Sequence, residues 1–307
     1  MNFVDSYQLN EWFLTNDREK TDEIMGRYVS FLLDGYTLNN IPIAVDTILG
    51  YMRAVNEYYK KHRFNPHFDK KDETDAARLL VEQKKYEDKP DKREPLHDKV
   101  IIKMMEMAEG GDPYGFRRAI WLWTGLGRFG GFRRQEFAME KKYEIQVYVK
   151  PDDTRVVRAF TLQNFIFFDE DERILRTKLA VKKREIAQQL GTEYDIQKNR
   201  MNGEIITFNR EPVCPGLCPV ILGLDIVEMA MELGSTNPED PLCIFRTESG
   251  DVCYLTGDMI TKYYRFVTKL VFPTISEAEL KLISTHSLRV KAACLLQQAG
   301  KDSVYIK

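Results

Sequence analysis

Three short stretches carry side chains whose types and spacing suit chemistry on an anion. The first is GGFRRQEFA at 130–138. A glycine pair delivers Arg133, and Glu136 follows three residues later, one helical turn away, where a carboxylate can support the guanidinium. Arg134 competes with Arg133 for this role, and the spacing to Glu136 favours Arg133. Taken alone, Arg-x-x-Glu on a helix is most often a surface ion pair. The second stretch is QKNRMNGE at 197–204, where Lys198 lies close to a tight turn that can project it from a sheet. Lysines in hairpins are usually just solvated, and Lys178, Lys182 and Lys183 stand upstream as alternatives. The third is THSLR at 285–289. His286 and Arg289 are three apart at the start of an apolar helix, so both can face one point and donate to a shared anion. His286 is the only histidine after residue 97, and a lone histidine near a helix start is more often structural.

The elements that must position these residues are mostly helical. Tyr28, Phe31 and Leu32, then Ile48, Tyr51, Met52, Val55, Tyr58 and Tyr59, recur at helical spacings. Asn39-Asn40-Ile41-Pro42 breaks the pattern, and Asp46 or Thr47 is expected to cap the next helix. That helix runs into YYKKHRFNPHF, either a solvated helix end or a surface that meets phosphates with aromatics packed behind. KKYEDKPDKREP (84–95) carries two prolines and almost no apolar side chains, and reads as a linker. The expected division is a helical domain over 1–86, a linker over 87–95 and a second domain over 96–307. In the second domain, helices are expected from about Leu96 to Ala108 and from Tyr114 to Leu126. YEIQVYV (143–149) and FTLQNFIFF (160–168) read as strands, and 174–191 as a basic amphipathic helix ending on Gly191. Two β-prone runs around Asn202-Gly203 predict a hairpin. Helices over 219–233, 255–271 and 286–300 complete the pattern. The fold class is therefore mainly α with a small antiparallel β-sheet, an α+β arrangement.

Composition sets broad bounds. The 307 residues are 43% hydrophobic and 30% charged, enough to bury a core. No apolar run approaches the ~18 residues of a membrane span, and MNFVDSYQLNEWF does not read as a secretory leader. An intracellular, reducing setting is expected, the nucleus in a eukaryote and otherwise the cytoplasm, with the five cysteines free. Cys214 and Cys218 in CPGLCP lack a nearby histidine and the spacing of a zinc knuckle, so no metal is expected. Net charge is −2 and the pI about 6.2. This weighs against a generic nucleic-acid binder, although a basic face can coexist with an acidic remainder.

Taken in order, the three stretches resemble the tyrosine recombinase (phage-integrase) family. GFRRQEF is similar to its Gly-Leu-Arg-x-x-Glu-Leu box, HSLRVKAACLLQQAG to its His-x-x-Arg box, and the QKN hairpin to the one bearing its active-site lysine. The resemblance spans about 95–307 and implies a DNA breaking-rejoining catalytic core preceded by a core-binding-like helical domain. It implies that Arg133 and Arg289 clamp the scissile phosphate, where a planar, permanently charged fork fits. It makes His286 a phosphate ligand and proton shuttle, Lys198 the general acid, and Glu136 the support of Arg133. No cofactor is implied, because a 3′-phosphotyrosyl bond stores the energy of the broken phosphodiester. It implies double-stranded DNA as the partner and leaves open a homo-oligomer, a tetramer on paired sites. The family's nucleophilic tyrosine lies further past the His-x-x-Arg box than Tyr305, so the chain as given is expected to bind DNA without cutting it. Two alternatives remain open: a DNA-binding relic of a mobile element, and a helical scaffold in which the boxes occur by chance.

Overall fold

Burial of the apolar stripes divides the chain into two units, Met1–Pro90 and Asp91–Lys307, each described by itself. The structure is a computed structural model and describes residues 17–34, 43–61, 75–84, 93–150, 153–195 and 203–301.

The first unit contains α1 (Arg18–Leu33), α2 (Val45–Lys61) and α3 (Asp75–Lys84). Asp17 caps α1 by accepting from the Lys20 N–H at 3.2 Å. In α2, Ile48, Met52 and Tyr59 point inward onto Met25, Val29 and Leu80 in one apolar cluster, while Tyr51 and Tyr58 face solvent. Helix α2 begins at Val45, earlier than the expected cap. Asp46 therefore lies in the first turn, where a negative charge complements the helix dipole, and pairs with Lys84 at 2.6 Å. The basic aromatic stretch after Lys61 lies outside the described residues.

The second unit is built around α5 (Phe116–Gly130). Every residue from Ala119 to Gly127 is buried, so this helix is apolar all round, as a central helix must be. Against it pack α4 (Asp98–Glu109), α8 (Pro219–Glu232) and α11 (His286–Gln298); α9 (Gly257–Val271) packs on α4, and short α6 (Arg134–Phe137), α7 (Thr177–Lys182) and α10 (Glu277–Leu282) complete the helices described in this unit. Thr124 of α5 hydrogen-bonds Tyr264 of α9 at 2.9 Å, joining two otherwise apolar surfaces.

Among the described residues, eight strands form three antiparallel sheets. Strands β1 (Val147–Val149) and β2 (Arg155–Val157) pair alone, as do β7 (Ile244–Arg246) and β8 (Val252–Tyr254). The larger sheet has the order β4-β3-β5-β6, from β3 (Phe165–Phe168), β4 (Ile174–Leu175), β5 (Gln189–Tyr194) and β6 (Glu204–Asn209). Among the described residues the chain is mainly helical with small antiparallel sheets, an α+β arrangement.

One local expectation is corrected. The segment 174–191 is not one helix. It begins in β4, forms α7 for six residues, turns at Lys183 (φ −120°, ψ 67°) and enters β5. Pairing with β3 on one side and β6 on the other overrides its local helical pattern. The hairpin exists, with β5 paired to β6. Tyr194 pairs with Glu204, so the connection covers 195–203. Gly203 closes it with φ 79°, and its N–H donates to the Tyr194 carbonyl at 2.7 Å.

Candidate anion-binding site

The site is built on the C-terminal end of α5. Gly131 has φ 58° and ψ 35°, a left-handed conformation that costs an ordinary L-residue about 1–2 kcal/mol. Its N–H donates to the Gly127 carbonyl at 2.8 Å and ends the helix. Phe132 then turns inward and is 1% exposed. It packs edge-on against Trp123 (6.3 Å between ring centroids) and Phe160 (5.1 Å), in a cluster that includes Phe165 and Tyr194. With Phe132 so anchored, Arg133 follows at the rim.

Glu136 lies on the buried side of Arg133. One carboxylate oxygen accepts from the Arg133 backbone N–H at 2.6 Å, the other from Nη1 at 3.0 Å. The Arg133 side chain remains 25% accessible and that of Glu136 only 6%. Burial raises the Glu136 pKa, and the hydrogen bonds from Arg133 and the charges of Arg133 and Arg289 offset this only in part. Arg134 leads elsewhere: its Cδ and Cγ lie against Gly257, at the start of α9. Of the two adjacent arginines, Arg133 belongs to the cluster.

Helix α11 delivers Arg289. The helices α5 and α11 approach closely at Gly127, where a Cβ would stand 2.5 Å from Leu288 Cδ2. Arg289 Cγ passes 4.0 Å from the corresponding position on Gly131. This close passage puts two guanidiniums within electrostatic reach. The Arg289 pKa is lowered by its burial first and by Arg133 second, against the opposing pull of Glu136 and Tyr194. Arg289 has no ion-pair partner among the described residues. His286, one turn earlier, is exposed. Partial burial, then Arg289, then Arg93 lower its pKa, which favours the neutral imidazole.

Tyr194 forms the remaining wall. This last residue of β5 is 5% exposed and its ring lies 5.1 Å from Phe160. Burial and the Glu136 charge push its phenol well above the ordinary range, so it is a neutral wall with little nucleophilic character. Nothing in the sequence marked it, because a strand residue reaches an arginine pair only through tertiary packing. Beside it, Asn164 Nδ2 donates to Asp195 at 2.8 Å and secures the base of the hairpin connection. Lys198 and Tyr305 lie outside the described residues. The charges acting on Arg289, Glu136 and Tyr194 come from one another and Arg133, and Lys178, Lys182 and Lys183 are not among them.

The cluster thus brings together Arg133, Glu136, His286 and Arg289, and adds Tyr194. Two fixed positive charges act on one carboxylate, leaving an excess of one positive charge in a half-buried cluster. Unpaired buried charge is costly, and a ligand anion relieves it. Elsewhere, Cys214 is exposed, while buried Cys218 accepts from the Glu211 N–H at 3.2 Å. No group of three potential metal-ligating side chains occurs among the described residues. Comparison of the chain with family models and with curated proteins returns no match to either.

Proposed function

We propose that the chain is a tyrosine-recombinase-like DNA-binding protein whose second unit grips one backbone phosphate between Arg133 and Arg289. The observation that carries this reading is the excess positive charge: two guanidiniums within reach of each other, one of them with no ion-pair partner among the described residues. An arginine fork matches two oxygens of a phosphate and keeps its charge at every physiological pH. Two forks on one phosphate bind it in the ground state and stabilise the further charge of a pentacovalent transition state.

The remaining roles follow from position. Glu136 holds the Arg133 guanidinium from its buried side. His286, at the exposed rim, donates to the bound phosphate and passes a proton. Lys198 is the proposed general acid for the departing 5′ hydroxyl. The attacking tyrosine is not one of the residues described at the site, since Tyr194 is buried with a weakened acidity. The proposed reaction class is site-specific strand transfer through a 3′-phosphotyrosyl bond, on duplex DNA held by both units, with paired sites assembling four protomers. No helix among the described residues is long and apolar enough to cross a membrane.

The test is duplex binding by fluorescence anisotropy across salt concentrations. Binding that weakens steeply with salt, and is abolished in Arg133→Ala/Arg289→Ala but kept in the surface control Arg173→Ala, supports the reading. Binding that is undetectable, or untouched by the double substitution, rejects it and favours a helical scaffold.

A further inference from the structure

The opening segment of the second unit is fastened to the turn that bears His286. Arg93 Nη1 donates to the Lys281 carbonyl at 2.8 Å, at the end of α10. The Leu96 N–H donates to the Ser287 carbonyl, one residue past His286, at 3.2 Å. Lys291, whose side chain is only 10% accessible, pairs with Asp98 at 2.7 Å. Residues 93–98 thus run alongside the segment 281–291 and hold it at three points.

The Arg93 bond is not needed to satisfy the backbone. Arg265 of α9 already donates to the same Lys281 carbonyl at 3.1 Å and to Ile283 at 2.9 Å. A second, solvent-exposed donor on one carbonyl adds little to its satisfaction. What the bond does add is a permanent cation held close enough to act on the His286 ring. We infer that Arg93 is a positioning residue of the anion site, fixing the turn ahead of His286 through the Lys281 carbonyl and holding a guanidinium charge beside the imidazole.

This deepens the phosphate reading and rests on it. The charged groups that act on His286 are Arg289 on its own helix and Arg93 on the opening segment. Lys281 of α10 and Arg265 of α9 belong to the same turn through the backbone bonds above, and no carboxylate acts on the ring among the described residues. Burial first, then the charges of Arg289 and Arg93, bias the imidazole toward its neutral form in the empty site. A phosphate seated against Arg289 offsets that repulsion, and His286 takes up a proton as the phosphate arrives. Arg93 therefore couples anion entry to proton uptake and keeps the empty site from charging prematurely.

The test is the histidine titration of the full chain by NMR, with His286→Gln identifying the His286 resonance among the four histidines. Arg93→Ala is expected to raise the His286 pKa by a few tenths of a pH unit toward its ordinary value. Arg93→Lys, which keeps the charge and one donor, is expected to hold it near the wild-type position. Arg93 is exposed, so both variants should melt like the wild type. The same proteins are titrated with a DNA duplex, where Arg93→Ala should lose a few-fold in affinity and shift the pH profile upward. An unchanged His286 titration in Arg93→Ala, with duplex binding intact, overturns the inference alone. A shifted titration in a protein whose wild type binds no duplex overturns the phosphate reading and leaves the coupling of Arg93 to His286 standing.

Discussion

Replacing Arg289 separates what charge contributes from what geometry contributes. The side chain is half-buried, lacks an ion-pair partner among the described residues and is destabilised in its charged form by burial and by Arg133. Arg289→Ala should therefore leave folding stability within about 1 kcal/mol of wild type, since lost packing is offset by relieved repulsion. Binding should respond far more. A hydrogen-bonded contact to a charged phosphate is worth about 1.5–3 kcal/mol, and at about 1.4 kcal/mol per decade its loss weakens duplex affinity roughly 10- to 150-fold. The slope of log affinity against log salt should fall by about 0.9, the share of one neutralised phosphate. Arg289→Lys keeps the charge and loses the fork. It should retain the wild-type slope while losing affinity, because slope counts charge and intercept counts geometry. Anisotropy titrations between 50 and 200 mM salt, the range over which such contacts dominate, read both quantities, and urea melts read stability. A variant that binds like wild type, or one that loses more than about 4 kcal/mol of stability, the exceptional range for a single substitution, would refute the reasoning.

Three further outcomes follow from the same geometry. Because burial holds the Glu136 pKa above its unfolded value, its contribution to stability is full below the unfolded pKa and is lost as pH rises through the folded one. Glu136→Gln should accordingly compare better with wild type in urea melts at neutral pH than at mildly acidic pH, while its duplex affinity falls because Arg133 loses its carboxylate support. Gly127→Ala forces a methyl to within 2.5 Å of Leu288 Cδ2. It should cost about 1–3 kcal/mol by overpacking and, by pushing α11 away, weaken duplex binding beyond what partial unfolding explains. The His286 pKa is lowered in the free protein and raised by a bound phosphate. Duplex affinity should therefore increase as pH falls through the bound-state value and level off below the free-state value, a dependence that His286→Gln flattens.

Much of the site was legible in the sequence because its two arginine boxes are local. A glycine pair closing an apolar helix announces the turn before Arg133, and a three-residue spacing aligns Glu136 with Arg133 and His286 with Arg289. The wall was not legible. Tyr194 is brought to the arginines by strand pairing and by edge-on packing against Phe160, which leave no periodic trace around residue 133. The misread helix over 174–191 has the same origin: α7 is helical where local propensity rules, and Gln189–Tyr194 becomes a strand because β3 and β6 both offer it backbone partners. The hairpin was legible from its two β-prone runs, and Gly203 supplies a positive φ where the second strand begins. In the first unit, the stripe Ile48, Met52 and Tyr59 identified the core face of α2, but Tyr51 and Tyr58 showed the same spacing and face water.

The most direct measurement is a crystal structure of the full chain bound to a DNA duplex. A phosphate clamp requires one backbone phosphate with its non-bridging oxygens about 2.7–2.9 Å from guanidinium nitrogens of both Arg133 and Arg289, and His286 at its edge. A duplex seated on another face, with both guanidiniums left in solvent, would contradict it.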